Sequence, residues 1–292
     1  MRQLKNFLYT ASFGTRILML VFVFAVMFIL TTTLILIITK SFPQLGERGI
    51  LIAGLTVQSL FLFICTPIIC ARIFSNSAVD FLQAGKLPKI QQILWCTACM
   101  IVLTPALNLI ITWNEGIQLP AALNGVETWM RNQENAAKVT TDMLLSTKSL
   151  WGVAGLILIV GVLTGIGEEF TFRGLIQQLV SEKSRNQHIA VWVTAFLFSA
   201  IHIQFFGFFP RLLLGAFFGY MIVWSHNIWL PVFAHFLNNS LATVSTFLID
   251  NKYSGEEVET IGTIKSGTAW ISVISIILFI LCVRELYKSC KN

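Results

Sequence analysis

Leu163-Thr-Gly-Ile-Gly-Glu-Glu-Phe-Thr-Phe-Arg173 sets two adjacent carboxylates, Glu168 and Glu169, inside an apolar stretch of membrane length with no polar loop around them. Ionised carboxylates at bilayer depth are costly, so such groups usually face a cavity, find partners and carry function. Polar residues recur downstream in further hydrophobic segments: His202, His235 and Asn239. Two carboxylates, an arginine, two histidines and an amide at membrane depth read as a catalytic site rather than a packing device.

Composition fixes the solvent around that stretch. The chain has 292 residues, 55% hydrophobic and 12% charged, about half the charged fraction of an average soluble domain. Stretches such as 17–38 and 271–283 are nearly uncharged, and lipid is their natural surrounding. The expected fold class is all-α, a polytopic transmembrane helical bundle of about eight spans. Its hydrophobic segments run roughly over 15–39, 50–72, 90–112, 150–180, 188–207, 210–226, 229–249 and 268–284. The first reads as a span rather than a cleavable leader, because it is long and no small-x-small site follows it. The fourth exceeds what a bilayer needs and must tilt or project. The chain divides into amino-terminal helices and an outer loop (1–149), a helical core (150–250) and an outer loop with a last span and basic tail (251–292). Pro67 and Pro105 fall within spans, where proline kinks a helix.

Charge between the segments sets the expected orientation. With the amino terminus inside, the inner side gathers 11 basic residues, Arg2 and Lys5 among them, against three acids. The outer side holds seven basic residues against nine acids, including Glu256, Glu257 and Glu259. This is the positive-inside asymmetry of an inner (cell) membrane protein with both termini cytoplasmic. The net charge of +6 follows from those loops and implies no nucleic-acid partner. The six cysteines form no disulfide framework. Cys96-x-x-Cys99 has no matching second pair in sequence, so small residues packing between helices explain it better than zinc or redox chemistry.

The chemistry sits in three segments. Glu169 and Arg173, four residues apart, share a helix face and suit an ion pair. Glu168 points about 100° away, toward a less polar setting in which a carboxylate serves well as a general base near neutral pH. A buried pair that only fixes helix packing accounts for Glu169 and Arg173 but leaves the second glutamate unexplained. In the fifth segment Phe198 and His202 lie one turn apart. If the fourth helix ends near Ser181 and the fifth starts near Ile189, Glu168 and His202 both lie about 20 Å in, at 1.5 Å per residue. In the seventh, His235 and Asn239 share a face as two hydrogen-bond donors suited to an oxyanion, while Asn238 points elsewhere. Arg211 falls at a segment boundary and stays outside this set, and His188 and His226 read as solvated.

The ordered trio Glu168-Glu169-x-x-x-Arg173, Phe198-x-x-x-His202 and His235-x-x-x-Asn239 resembles the CPBP family. This family comprises Rce1-type CAAX prenyl endopeptidases and bacteriocin-processing or immunity (Abi) proteins. The resemblance covers roughly 150–250, with every signature position filled. It implies an intramembrane endopeptidase acting on a membrane-associated peptide, of a prenylated CAAX or leader type. Glu168 and His202 would activate the water, His235 and Asn239 would bind the oxyanion, and Glu169, Arg173 and Phe198 would support the site or touch substrate. The family carries a metalloprotease label alongside a metal-free alternative. Glu168, His202 and His235 are the candidate ligands for a divalent ion such as zinc, although no His-Glu-x-x-His pair is present. Two other readings remain: a non-catalytic scaffold or immunity protein of the same fold, and a proton-coupled transporter. The transporter ranks lower for want of repeated halves. Oligomeric state and the role of 113–149 stay open.

Overall fold

The computed structural model describes residues 10–255 and 260–291. Arg2, Lys5, Glu256, Glu257 and Glu259, which entered the charge count, lie outside the described residues. Nine helices matter to the site. They are α1 (Phe13–Ser41), α2 (Pro43–Phe74), α3 (Ile90–Glu115), α4 (Asn124–Leu145), α5 (Leu150–Ser184), α6 (Gln187–Ala200), α7 (Phe208–Ser225), α8 (Trp229–Asp250) and α9 (Ala269–Lys291). Among the described residues there is no strand. Seven of these helices are long and apolar enough to cross a membrane, and α6 is a shorter apolar one. The protein is an integral membrane protein built as an all-α bundle.

Two segments depart from the sequence expectation. The fifth, expected to run to 207, forms a helix of only 14 residues, about 21 Å long against a hydrocarbon core of about 30 Å. The Asn186 side chain caps its start, accepting from the amides of His188 and Ile189. The helix stops because the chain turns at 201–204, with Ile203 in the left-handed region at φ 54°. Chain direction reverses through a short 3-10 turn, Phe205–Gly207, and Pro210 then stands near the start of α7, where its missing N–H costs little. The second departure lies in 113–149. This polar stretch forms the amphipathic helix α4 rather than an open loop.

α5 is the axis of the bundle. Its 35 residues extend about 52 Å, and two π-helical stretches interrupt it, Ile157–Leu163 and Phe170–Ile176. Such widened turns often mark functional regions; here they flank Glu168 and Glu169. Glycines let neighbours approach the axis. A Cβ at Gly161 would lie 2.7 Å from the Ser240 Oγ on α8, and one at Gly167 would lie 2.8 Å from the Phe63 Cβ on α2. Thr171 also donates to the Phe63 carbonyl at 2.8 Å. An ion pair of 2.6 Å between Arg16 and Glu182 places the start of α1 and the end of α5 on one face of the bundle.

α3 and α9 pack along one another. Ser272 donates to the Pro105 carbonyl at 2.8 Å and Ser275 to the Val102 carbonyl. Cys282 and Cys290 pack beside the buried Cys96 and Cys99 in this seam, and all six cysteines are free. The partners that Cys96-x-x-Cys99 lacks in sequence thus come from the far end of the chain, as packing neighbours.

Gly167→Ala pushes a methyl into Phe63 and toward the Ser59 carbonyl, 3.2 Å away. It should destabilise the protein by about 1–3 kcal/mol through overpacking. Thermal unfolding in detergent checks this, with Gly155→Ala, which meets nothing within 4 Å, as the neutral control.

Candidate active site

The polar residues singled out on α5, just beyond α6 and on α8 meet inside the bundle. Glu169 is fully buried, and its Oε1 accepts two charge-assisted bonds. One comes from Arg173 Nη1 at 2.8 Å and the other from His235 Nδ1 at 2.7 Å. Because that oxygen can only accept from the ring, Nδ1 carries a proton. The opposite nitrogen, Nε2, faces Glu168 Oε2 at 3.6 Å. Glu169 therefore orients His235, and His235 in turn faces the second glutamate.

Arg173 is equally buried. Its second fork nitrogen donates to the Gly215 carbonyl on α7 at 3.0 Å, and its guanidinium lies 4.5 Å from the centre of the Phe198 ring. Gln177, one turn further along α5, repeats the pattern on the Gly219 carbonyl at 3.0 Å. Gly215 and Gly219 are what permit this. A Cβ at Gly215 would stand 3.2 Å from the Arg173 nitrogen, and one at Gly219 would stand 2.9 Å from the Gln177 oxygen. Phe198, read as a supporting residue, is the aromatic wall between the arginine and both histidines: its ring centre lies 5.1 Å from His202 and 5.9 Å from His235.

His202 does not extend a helical face from Phe198. It lies in the turn beyond α6, where its Nδ1–H donates to the Phe198 carbonyl at 2.7 Å. In the neutral ring this bond leaves Nε2 as an acceptor. Asn239 donates one amide N–H to the Val160 carbonyl on α5 at 2.9 Å, and its oxygen accepts from Asn238 at 3.3 Å. The other N–H of the Asn239 amide is uncommitted by these bonds. Glu168, His202, His235 and Asn239 all line one cavity of about 140 Å³.

Two residues left outside the sequence-derived set belong to the same cavity wall. Arg211 is one; its guanidinium donates to the Gln204 side-chain oxygen at 2.7 Å. Asn238 is the other, and it turns toward Asn239 rather than away. Arg211 was hidden because the fifth segment was expected to run to 207; the turn at 201–207 instead brings the start of α7 to the cavity. A charged residue within the first two turns of an otherwise apolar helix is the signal that marks it. His188 and His226 are exposed and line no part of this cavity; His188 instead bonds to the Tyr220 hydroxyl at 2.8 Å.

The amphipathic helix α4 holds that turn. Glu134 accepts from the Phe206 amide at 3.2 Å, Arg131 stacks 4.2 Å over the Phe206 ring, and Trp129 meets Phe205 at 5.3 Å. Asn114, near the end of α3, brackets the same turn, donating to the Phe205 carbonyl and accepting from the Phe209 amide. Glu127 accepts from the Leu119 amide and from Arg131, contacts that hold its carboxyl below the usual carboxylate range. A second, apolar cavity of about 370 Å³ lies between α4, α6 and this turn, lined by Met130, Phe196 and Phe208.

Among the described residues, no three His, Cys, Asp or Glu side chains are grouped so as to hold a metal ion. Glu168, His202 and His235, the candidate ligands, border one cavity. Comparison with family models gives one match: residues 149–241 match the type II CAAX prenyl endopeptidase Rce1-like family. All seven sequence-derived site residues, Glu168 to Asn239, fall within that stretch. No curated protein and no solved structure matches the chain.

Arg173→Ala leaves Glu169 buried without its cation, and should destabilise the protein by about 3–5 kcal/mol, read as a loss of thermal stability. Arg131→Ala removes a stacking contact worth about 0.5–2 kcal/mol. Its expected effect is local: faster amide exchange over 203–209, with exchange in α5 and α8 unchanged.

Proposed function

We propose, from the premise that the chain carries a domain of the Rce1-like type II CAAX prenyl endopeptidase family, that it hydrolyses a peptide bond in a membrane-associated peptide by a glutamate-activated water. The observation that supports this most strongly is the shared cavity bordered by Glu168, His202, His235 and Asn239. Its groups divide into the two classes such a reaction needs: proton acceptors for the water and donors for the developing oxyanion.

In this reading Glu168 accepts a proton from water while Nε2 of His202 accepts the other hydrogen and orients the attack. The oxygen adds to the scissile carbonyl, and the resulting oxyanion receives hydrogen bonds from His235 Nε2 and the uncommitted N–H of Asn239. With Nδ1–H spent on Glu169, His235 donates from Nε2 only as an imidazolium. Glu169 orients the ring through that bond, and Arg173 fixes Glu169 in place. The tetrahedral carbon then expels the amine, which takes its proton from Glu168. The immediate products are a carboxylic acid and an amine; the acid's proton passes to the amine, giving carboxylate and ammonium, and Glu168 returns ionised.

The substrate reaches the site from the membrane, which favours a lipid-anchored peptide of the CAAX type. Nothing in the scheme passes through a metal.

Glu168→Gln should lower cleavage of a fluorogenic isoprenylated CAAX peptide by about 10³-fold or more, since a general base contributes about 10²–10⁴. The variant should keep its stability and its binding of the peptide. Cleavage by the wild type should persist after exhaustive chelation. Retained turnover in Glu168→Gln would sink the hydrolase reading and favour a scaffold; chelator-sensitive turnover would return Glu168, His202 and His235 to the role of ligands.

A further inference from the structure

We propose that Arg211 anchors a carboxylate of the peptide substrate, close to the scissile bond. The inference rests on the endopeptidase reading and adds a recognition element to the same cavity. Three other arginines pair with a carboxylate: Arg16 with Glu182, Arg131 with Glu127 and Arg173 with Glu169. Arg211 is the arginine that lines the cavity itself. Among the described residues its guanidinium makes no ion pair, and its fork donates to two neutral oxygens of one residue, the Gln204 side chain at 2.7 Å and the Gln204 carbonyl at 3.4 Å.

A half-buried guanidinium without a carboxylate partner is a costly arrangement, which a ligand of opposite charge relieves. Arg211 shares its cavity wall with Glu168 and His202 and makes no ion pair with that glutamate. A group bound at Arg211 therefore lies beside the residues proposed to handle the water.

The side chain is held in place for this task. Gln204 grips the fork, and the arginine folds back across Gly207, where a Cβ would come within 2.6 Å of Nη2. The turn that carries both residues is pinned by α4 and Asn114. A planar fork of donors matches a carboxylate in a way an ammonium does not. Size narrows the ligand further. At about 140 Å³ the cavity is close to one of about 150 Å³ that accommodates a benzene. A carboxylate reaching Arg211 while a carbonyl sits at Glu168 must therefore come from within a few residues of the cut. It is either the free carboxyl terminus of a short leaving fragment or an acidic side chain next to the bond.

The test uses the full chain in lipid vesicles and three isoprenylated fluorogenic peptides: one ending in a free acid, the same peptide amidated, and the amidated peptide with a glutamate beside the cut. Wild type should prefer the acid over the amide by about 10- to 100-fold in kcat/KM, the usual worth of a charge-assisted bond. Arg211→Gln should bring that ratio to near one, and Arg211→Lys should recover part of it. Recovery by the glutamate peptide assigns the carboxylate to a side chain, and its failure assigns it to the terminus. An acid-to-amide ratio near one in wild type with no gain from the glutamate peptide, or a preference for either carboxylate that survives Arg211→Gln, would overturn the proposal and leave Arg211 as a strap for the turn. Binding of the same peptides to Glu168→Gln separates this from failure of the hydrolase reading. Absent turnover with an acid preference that depends on Arg211 would condemn the chemistry and retain the anchor, whereas equal binding of acid and amide would condemn the anchor alone.

Discussion

One oxygen atom organises the centre of this protein. Oε1 of Glu169 receives both Arg173 and His235, and through them it joins α5, α7 and α8. A buried ion pair by itself offers little net stability, because desolvating two charges offsets most of their attraction. Here Arg173 also bonds to the Gly215 carbonyl and lies over the Phe198 ring, while its Nε and the second Glu169 oxygen stay unpaired. Specificity of arrangement is the larger gain. With Nδ1 of His235 committed to Glu169, the position and protonation pattern of the imidazole follow, and so does its approach to Glu168.

That network requires unusually close helices. Side-chain donors from α5 reach backbone carbonyls of α7 only where glycine leaves them uncovered, at Gly215 and Gly219. Where α5 meets α8 and α2, Gly161 and Gly167 serve the same end. The π-helical stretches on either side of Glu168 and Glu169 change the rotation of the helix, so adjacent glutamates address different surroundings. One is sealed among cations; the other borders a cavity.

The amphipathic helix α4 contributes from outside the matched domain. It touches neither glutamate, yet its Trp129, Arg131 and Glu134 secure the turn from which His202 and, through Gln204, Arg211 reach the cavity. A polar segment between spans thus shapes the membrane-embedded site by fixing the loop beneath it. The family match begins after this helix, at residue 149.

The sequence by itself determined the all-α membrane bundle, since only helices satisfy the backbone of such apolar segments. It also picked out Glu168, Glu169, Arg173, His202, His235 and Asn239, because polar groups stand out against lipid-compatible neighbours and helical spacing is local. It left out Arg211 and the inward turn of Asn238, and it took 188–207 for one full span. Those features depend on where a helix stops, and α6 stops at a turn braced by residues from α3 and α4, some 70 or more positions away. Long-range contacts of that kind leave no period in the chain. Only the tertiary structure decided that the turn lies beside Glu168, that α4 covers it, and that four cysteines from opposite ends of the chain share one seam.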